Sequence, residues 1–433
     1  MLHDLGKASE AFQQRLRQPT IERNEYRHEW ISLRLFQSFV GDAKDDTVWL
    51  QRLIDPRAED AERWLPDHAK LRDGMDESAS QSPPFSTLPT LARAVGWLVL
   101  THHRLPVMPS WDEGKQAPAK LGAKMHGFRT TVLDEVLIRI ACDWNETPSG
   151  VDVATVRTYW TFPHGLPITT ARWRERAARV AQRLLEHLAQ AGARAAIDDP
   201  FIMHVSRLSL MLADHHYSRL TDPHDRVRGE QNYPLFANTR RDTGRPNQAL
   251  DEHLLGVEKH ARSIVHALPS FDRNLPRLAR HRFLRQRSEA PAFRWQDRAV
   301  DIAISLRERS IEQGAFIINL ASTGCGKTLA NARIMNALAD PTSGMRCAFA
   351  MGLRTLTLQT GRAFQKLLQL GEDELAIMVG DAASRELFRF HEEQAEQTGS
   401  ASAHGLLPDD CSHVLHEGND DDPVLQRLSP EPS

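Results

Sequence analysis

Through roughly the first 268 positions, apolar residues recur at the three-to-four spacing of helices packed on one face. Residues 8–16 and 28–40 read as helices. The second carries Trp30, Leu33, Phe36 and Val40 in phase and is closed by Gly41. From 55 to 90 the chain is rich in Asp, Pro and Ser, including Ser82-Pro83-Pro84, and reads as a surface excursion. A helix is expected from Leu88 to Arg104, with Leu91, Val95, Leu98 and Val99 facing inward and a stop before Pro106. Further helices are expected near 128–146, 168–192, 200–219 and 249–268; Ala177, Val180, Leu184 and Leu188 mark the inner face of the second. Residues 221–248 are polar and turn-rich, so 1–268 reads as one all-helical domain.

The period then changes. Residues 269–292 are Arg-rich and read as a connector. Beyond them Ala315–Leu320 is an apolar run of strand length, Lys327–Leu338 has helical spacing, and Arg346–Met351 is a second strand candidate. That order predicts a parallel α/β sheet within 293–395. From 396 to 433 the chain is polar and acidic, with Asp409, Asp410, Glu417 and Asp420 to Asp422, and is expected to be disordered.

Composition narrows the class. A length of 433 residues suggests at least two domains, and 41% hydrophobic with 26% charged residues is ordinary for a globular protein. There is no apolar run of bilayer length and no basic-then-apolar leader, so the expectation is a cytoplasmic protein without a membrane span. Cys142, Cys325, Cys347 and Cys411 are scattered, which excludes a disulfide framework or a zinc-type spacing. A net charge of -3 argues against nucleic-acid binding by bulk charge. Local basic stripes exist at Arg172, Arg174, Arg176, Arg179 and Arg183, and from Arg273 to Arg294. Each reads equally well as a solvated helix face or as a phosphate track.

Two constellations carry chemistry. The first is His3-Asp4, with Lys7 three and four residues on, joined by His28, His102-His103 and Asp214, all placed on expected helices. Singly each has a plain structural explanation, as a cap, a helix-end group or an internal pair. Together they form a set of imidazoles and carboxylates without thiolates, which suits Mn, Fe, Co or Ni, with up to two ions. The second is Ala321-Ser-Thr323-Gly324-Cys325-Gly326-Lys327-Thr328, a phosphate-binding loop between a strand and a helix. Its backbone would cradle phosphates, Lys327 would reach them and Thr328 would hold Mg²⁺, with ATP as the ligand.

The first set resembles the HD phosphohydrolase superfamily, a helical fold holding one or two metals. Carried over, the resemblance makes Asp4 the bridge between two ions. It assigns His28, His102 and His103 to one, and His3 and Asp214 to the other. Asp4 and Lys7 become the catalytic pair, Lys7 as a phosphate contact. The superfamily's further histidine upstream of the HD pair has no counterpart here, which leaves His215 or His216 as the substitutes to consider. In the second set, Phe293 and Gln296 resemble the adenine-reading segment of superfamily 2 helicases. Arg354, Thr355, Thr357, Gln359 and Thr360 resemble their first strand-contacting motif. No Asp-Glu-x-His or Asp-Glu-x-Asp follows an apolar strand after Thr328, and no arginine-finger motif is found. ATP is therefore expected to bind without turnover.

HD domain followed by helicase is the order of the CRISPR-associated nuclease-helicases of type I interference systems. The wording around His3, Arg27-His28-Glu29, Thr101 to Pro106 and Leu353 to Thr357 looks most like the I-F branch. The resemblance covers nearly the whole chain, but the chain covers only part of the family protein. It implies an α-helical HD-type domain followed by a partial α/β RecA-like lobe. The implied activity is a metal-dependent nuclease on single-stranded DNA, recruited by an RNA-guided surveillance complex. Alternatives are an HD phosphohydrolase acting on nucleotides or cyclic dinucleotides, and an inactive remnant that binds DNA or a partner.

Overall fold

A computed structural model of the chain describes residues 1–18, 24–57, 59–103, 130–138, 151–190, 192–240, 243–322, 324–371 and 374–379. They form two compact units, Met1–Leu268 and a second from Pro269 onward. The expected acidic tail, Thr323, Cys142, Cys411 and the stretch around Pro106 lie outside the described residues.

The longer helices of the first unit are α1 (Glu10–Arg17), α2 (His28–Val40), α3 (Asp46–Ile54), α4 (Thr90–Thr101), α5 (Val153–Tyr159), α6 (Ala171–Leu188), α7 (Pro200–Arg219) and α8 (Leu250–Ala267). Helix α2 is buried almost all round, from Ile31 to Val40, and packs against α4. The inward face expected for α4 is too narrow: Ala92, Ala94, Trp97, Val99 and Leu100 are buried, while Leu91, Val95 and Leu98 are only partly so. Its first N–H groups have no intrahelical partner. The Asp46 carboxylate of α3 supplies one, accepting from Leu91 and Ala92 at 2.9 and 3.0 Å.

The expected surface excursion is instead docked on the core. Arg34, on the otherwise apolar α2, donates to the Asp73 carboxylate at 2.9 and 2.8 Å, and to the carbonyls of Ala79 and Ser82. Trp30 donates to the same carboxylate, and the Asp73 carbonyl accepts from Tyr26 and Trp160. A buried guanidinium must have its donors satisfied. Here the Asp- and Ser-rich segment does that, and carries Trp64, Leu71, Phe85 and Leu88 into the interior. Its turn residues are real, but they shape a packed segment.

Residues 221–248 fold back through isolated antiparallel bridges, Phe236 with Ala249 and Thr239 with Pro246, which lead directly into α8. Helix α8 packs along α7.

The second unit contains α9 (Arg294–Ser305), α10 (Arg307–Gln313), α11 (Lys327–Leu338) and α12 (Arg354–Leu368). The helix expected at 327–338 is present, but the expected sheet is not found. Among the described residues, Ala315–Leu320 and Arg346–Met351 form no named strand, and the one bridge in this unit joins Leu278 to Met345. Phe316, Ile318 and Leu320 are 107%, 84% and 90% exposed. A parallel strand is stabilised only by lateral neighbours that take up its N–H and C=O groups. Apolar content and length alone cannot supply them.

Candidate metal centre

His3 and Asp4 do not sit on a regular α-helix as expected. They occupy a turn leading into a single 3-10 turn, Leu5–Ala8. Asp4 precedes that turn without capping it, so its carboxylate is free to point elsewhere. In 3-10 geometry residues three apart eclipse, which brings Lys7 Nζ to 2.8 Å from Asp4 Oδ2. Gly6 lets the turn lie flat on α2. A Cβ there would stand 2.1 Å from the His28 carbonyl oxygen, while the Gly6 N–H donates to Ser32 Oγ at 2.8 Å.

That docking brings α2 to the centre. His28 Nε2 lies 3.1 Å from Asp4 Oδ1. His102 and His103 follow α4, whose terminal Thr101 carbonyl accepts from Arg207 of α7 at 2.7 Å. His102 Nδ1 is 2.7 Å from the Val99 carbonyl, which can only accept, so Nδ1 carries the proton. Its Nε2 is then directed at Asp4 Oδ1, 3.5 Å away. Asp214 on α7 lies 3.6 Å from His3 Nε2 and 3.7 Å from His103 Nδ1.

These six residues, with His253, fall into two groups that share Asp4. One is Asp4, His28, His102 and His103; the other is His3, Asp4, Asp214 and His253, with the offered atoms in each within 4.8 Å of one another. His253, on α8, did not stand out in the sequence. Its Nε2 is 3.1 Å from both Asp4 Oδ2 and Asp214 Oδ1. A buried histidine between apolar neighbours on one helix gives no local sign of a carboxylate 249 positions away. Neither His215 nor His216 belongs to either group; the His216 ring packs against His260 at 4.5 Å.

The electrostatics are those of ionised carboxylates in a dry pocket. Burial alone would push Asp4 up, but Lys7 and His3 outweigh it and hold the carboxyl well below its usual range. Burial likewise opposes ionisation of Asp214, and the neighbouring His253 and His3 rings bring it down. Burial drives His3 down to about 3 against the pull of Asp4, and drives His103 well down too. Burial also works against protonation of His102, which Asp4 reverses.

Both nitrogens of His3, Asp4 Oδ1, His28 Nε2 and His102 Nε2 are buried without a hydrogen-bond partner. An orphaned buried polar atom costs about 1–3 kcal/mol. Here His3 Nε2, Asp4 Oδ1, His28 Nε2 and His102 Nε2 converge, each able to offer a lone pair to a divalent cation. The residues therefore fit one or two metal ions. Among the described residues, neither group includes a cysteine.

The nucleotide-site candidates lie in the second unit. Gly324 and Gly326 have φ of 82° and 73°, and Gly326 caps α11. Lys327 Nζ donates to the Ala321 carbonyl at 2.6 Å. Gln296, expected to read a base, spends its amide on the protein. Nε2 faces the carbonyls of Cys325 and Gly326 at 3.3 Å, and Oε1 accepts from Arg333. The Phe293 ring comes within 3.4 Å of where a Gly326 Cβ would lie. Thr328 is in the first turn of α11, and Thr323 is outside the described residues.

The strand-contacting candidates all lie on α12. Gln359 is exposed, Thr360 is buried, and Thr357 Oγ1 donates to the Leu353 carbonyl. The side chains of Arg354 and Thr355 are outside the described residues.

A cleft of about 920 Å³, lined by Gln37, Lys44, Asp46, Arg63, Thr90 and Arg93 among others, includes none of the metal-centre residues. No helix among the described residues is long and apolar enough to cross a membrane.

No protein-family model matches the chain. Over 98% of its length it is 48% identical to the CRISPR-associated nuclease/helicase Cas3 subtype I-F/YPEST of Pseudomonas aeruginosa. Over 98% of its length it is 41% identical to the protein of the same description from Pectobacterium atrosepticum. The chain spans 38% of the length of each of these curated relatives.

Proposed function

The chain is a homologue of part of the subtype I-F/YPEST Cas3 nuclease/helicases, and from that premise we propose that its first unit is a metal-dependent nuclease that hydrolyses phosphodiesters of single-stranded DNA. The observation that carries this reading is the Asp4 carboxylate shared by two groups of ligand atoms, several of them buried and unpartnered. His28, His102 and His103 would hold one ion with Asp4, and His3 and Asp214 would hold the other. The chemistry that a pair of such ions supplies is activation of water and neutralisation of charge on the phosphodiester.

The residues themselves orient and balance that chemistry. The Val99 carbonyl fixes the His102 tautomer that offers Nε2 to the centre. Lys7 keeps Asp4 ionised, and its ammonium stands at the same edge as the shared carboxylate, where a phosphate oxygen would meet it. Arg207 ties the end of α4 to α7, so that His102-His103 and Asp214 move as one.

We assign the second unit an ATP–Mg²⁺ site at Gly324 to Thr328. Lys327 would exchange the Ala321 carbonyl for phosphate. Single-stranded DNA and an RNA-guided surveillance complex are the proposed partners, through the relation to the Cas3 proteins.

The test is direct. The purified chain is given Mn²⁺, Co²⁺, Ni²⁺ or Fe²⁺ and circular single-stranded DNA. Metal-dependent cleavage that disappears in Asp4→Ala is expected. Absence of cleavage with every metal, or equal cleavage by Asp4→Ala, would overturn the assignment. Nucleoside triphosphates and cyclic dinucleotides run alongside must be poorer substrates than DNA.

A further inference from the structure

We propose that His253 is the fourth ligand of the group formed by His3, Asp4 and Asp214, and that Gln248 is the positioning residue that makes it one. This rests on the metal-dependent reading above and adds to it residues from the far end of the unit.

The argument starts from Gln248, which is completely buried. Its Nε2 donates to the carbonyls of Tyr217 and Leu220, at 2.6 and 3.0 Å. These sit at the end of α7, the helix that carries Asp214. Its Oε1 accepts from Asn238 Nδ2 at 3.2 Å, and Asn238 Oδ1 accepts from the Gln248 N–H at 3.2 Å. Turning the amide over would set Oε1 against two carbonyl oxygens and Nε2 against the Asn238 amino group. The orientation is therefore over-determined.

In that orientation Oε1 faces His253 Nδ1 at 3.0 Å. A carbonyl oxygen only accepts, so Nδ1 carries a proton. The neutral ring must then present its lone pair at Nε2, 3.1 Å from one oxygen of Asp4 and 3.1 Å from one of Asp214. Without an ion, a second proton on Nε2 would be shared between the two carboxylates; a divalent cation among the three would take the place of that proton and accept the Nε2 lone pair. The same device appears in the other group, where the Val99 carbonyl fixes the proton of His102 on Nδ1 and leaves Nε2 facing Asp4. Each group thus holds one imidazole locked by an acceptor on its outer side, the arrangement that orients metal-ligating histidines.

The experiment is a metal count on the full chain, by Mn²⁺ titration calorimetry and elemental analysis after gel filtration, with folding followed by circular dichroism. Wild type is expected to bind two Mn²⁺. His253→Gly should bind one tightly, with the second weakened by at least about 100-fold. Imidazole added to His253→Gly should restore the second ion. His253→Gln, which conserves bulk and hydrogen bonding, should show the same loss if the glycine variant fails to fold. Gln248→Leu should weaken the same ion by about 10- to 100-fold, and Gln248→Glu, which keeps an acceptor toward Nδ1, should lose less. No Mn²⁺ on wild type would overturn the metal reading itself. Two ions on wild type and two of unchanged affinity on both His253 variants would overturn this proposal and leave that reading standing. Tighter binding by the His253 variants would also overturn it, because the imidazole would then be competing with the ion. Unchanged binding by Gln248→Leu would remove Gln248 from the proposal.

Discussion

Both units bury polar side chains, but they differ in how much apolar surface is closed around them. The first buries polar side chains at its centre and surrounds them with a continuous core of Leu33, Phe36, Phe39, Trp49 and Leu100. Among its described residues the second buries small apolar clusters, around Leu284, Phe364 and Leu368 and around Ala303 and Ile334, and leaves Phe316, Ile318 and Leu320 in solvent. Helices satisfy their own backbone, so a helical unit needs only side-chain packing to close. A sheet needs partner strands before its apolar residues have anywhere to go. The lesson is that a cluster of imidazoles and carboxylates can be assembled within one helical unit by side-chain packing alone, whereas the apolar run Ala315–Leu320 has no partner strand among the described residues.

The contrast is broken most sharply at Asp4. Asp4→Ala should remove both ions from the first unit and cut DNA cleavage by about a thousandfold or more, on the order of 4 kcal/mol. Metal content and cleavage rate measured on one preparation check this. Retention of two ions would show that the shared carboxylate does not hold the groups together.

Next in size is the buried pair that docks residues 60–85. Arg34→Met leaves Asp73 buried without its cation, a loss of about 3–5 kcal/mol by analogy with other broken buried pairs. Urea unfolding of the first unit reads it. A change of less than about 1 kcal/mol would mean that the segment is held by its apolar residues alone.

A smaller effect follows from pH. Burial, then His216 and Lys259, bring His260 down from 6.5 to about 4; the Tyr217 ring also packs on it at 5.7 Å. A histidine lowered on folding binds its proton more readily when unfolded. Its contribution is therefore present above pH 6.5 and is lost as pH falls toward 4, by up to about 3 kcal/mol. His260→Gln should flatten the pH dependence of stability across that window. An unchanged slope would assign the acid loss to other groups.

The smallest effect is expected in the second unit. Phe316→Ser should change stability by less than about 0.5 kcal/mol, because a fully exposed ring loses no burial. It should lower the binding of a hydrophobic dye such as ANS. A large loss of stability would show that this segment is packed in solution and would erase the difference between the units.

Much of the first unit is legible without coordinates. The periods of 28–40, 200–219 and 327–338 coincide with α2, α7 and α11. His3, Asp4, His28, His102, His103 and Asp214 could be singled out because each is a metal-ligating type beside a helix boundary or after an apolar run. Residues 55–90 could not be read correctly, because Asp73 and Ser82 look like turn residues until Arg34 is seen to need them. The sheet expected from Ala315–Leu320 rests on period and length, which say what a strand would look like and nothing of its neighbours.

By itself, the order of residues determined the helices, their faces and the inventory of groups able to bind a cation, because these depend on spacing along the chain. Only tertiary structure decided that His253 and Gln248 belong to the centre and that Asp4 is shared between two sets of imidazoles. Metal coordination depends on distances in space, and the pair separated by 249 positions meets at 3.1 Å only after α8 has packed along α7.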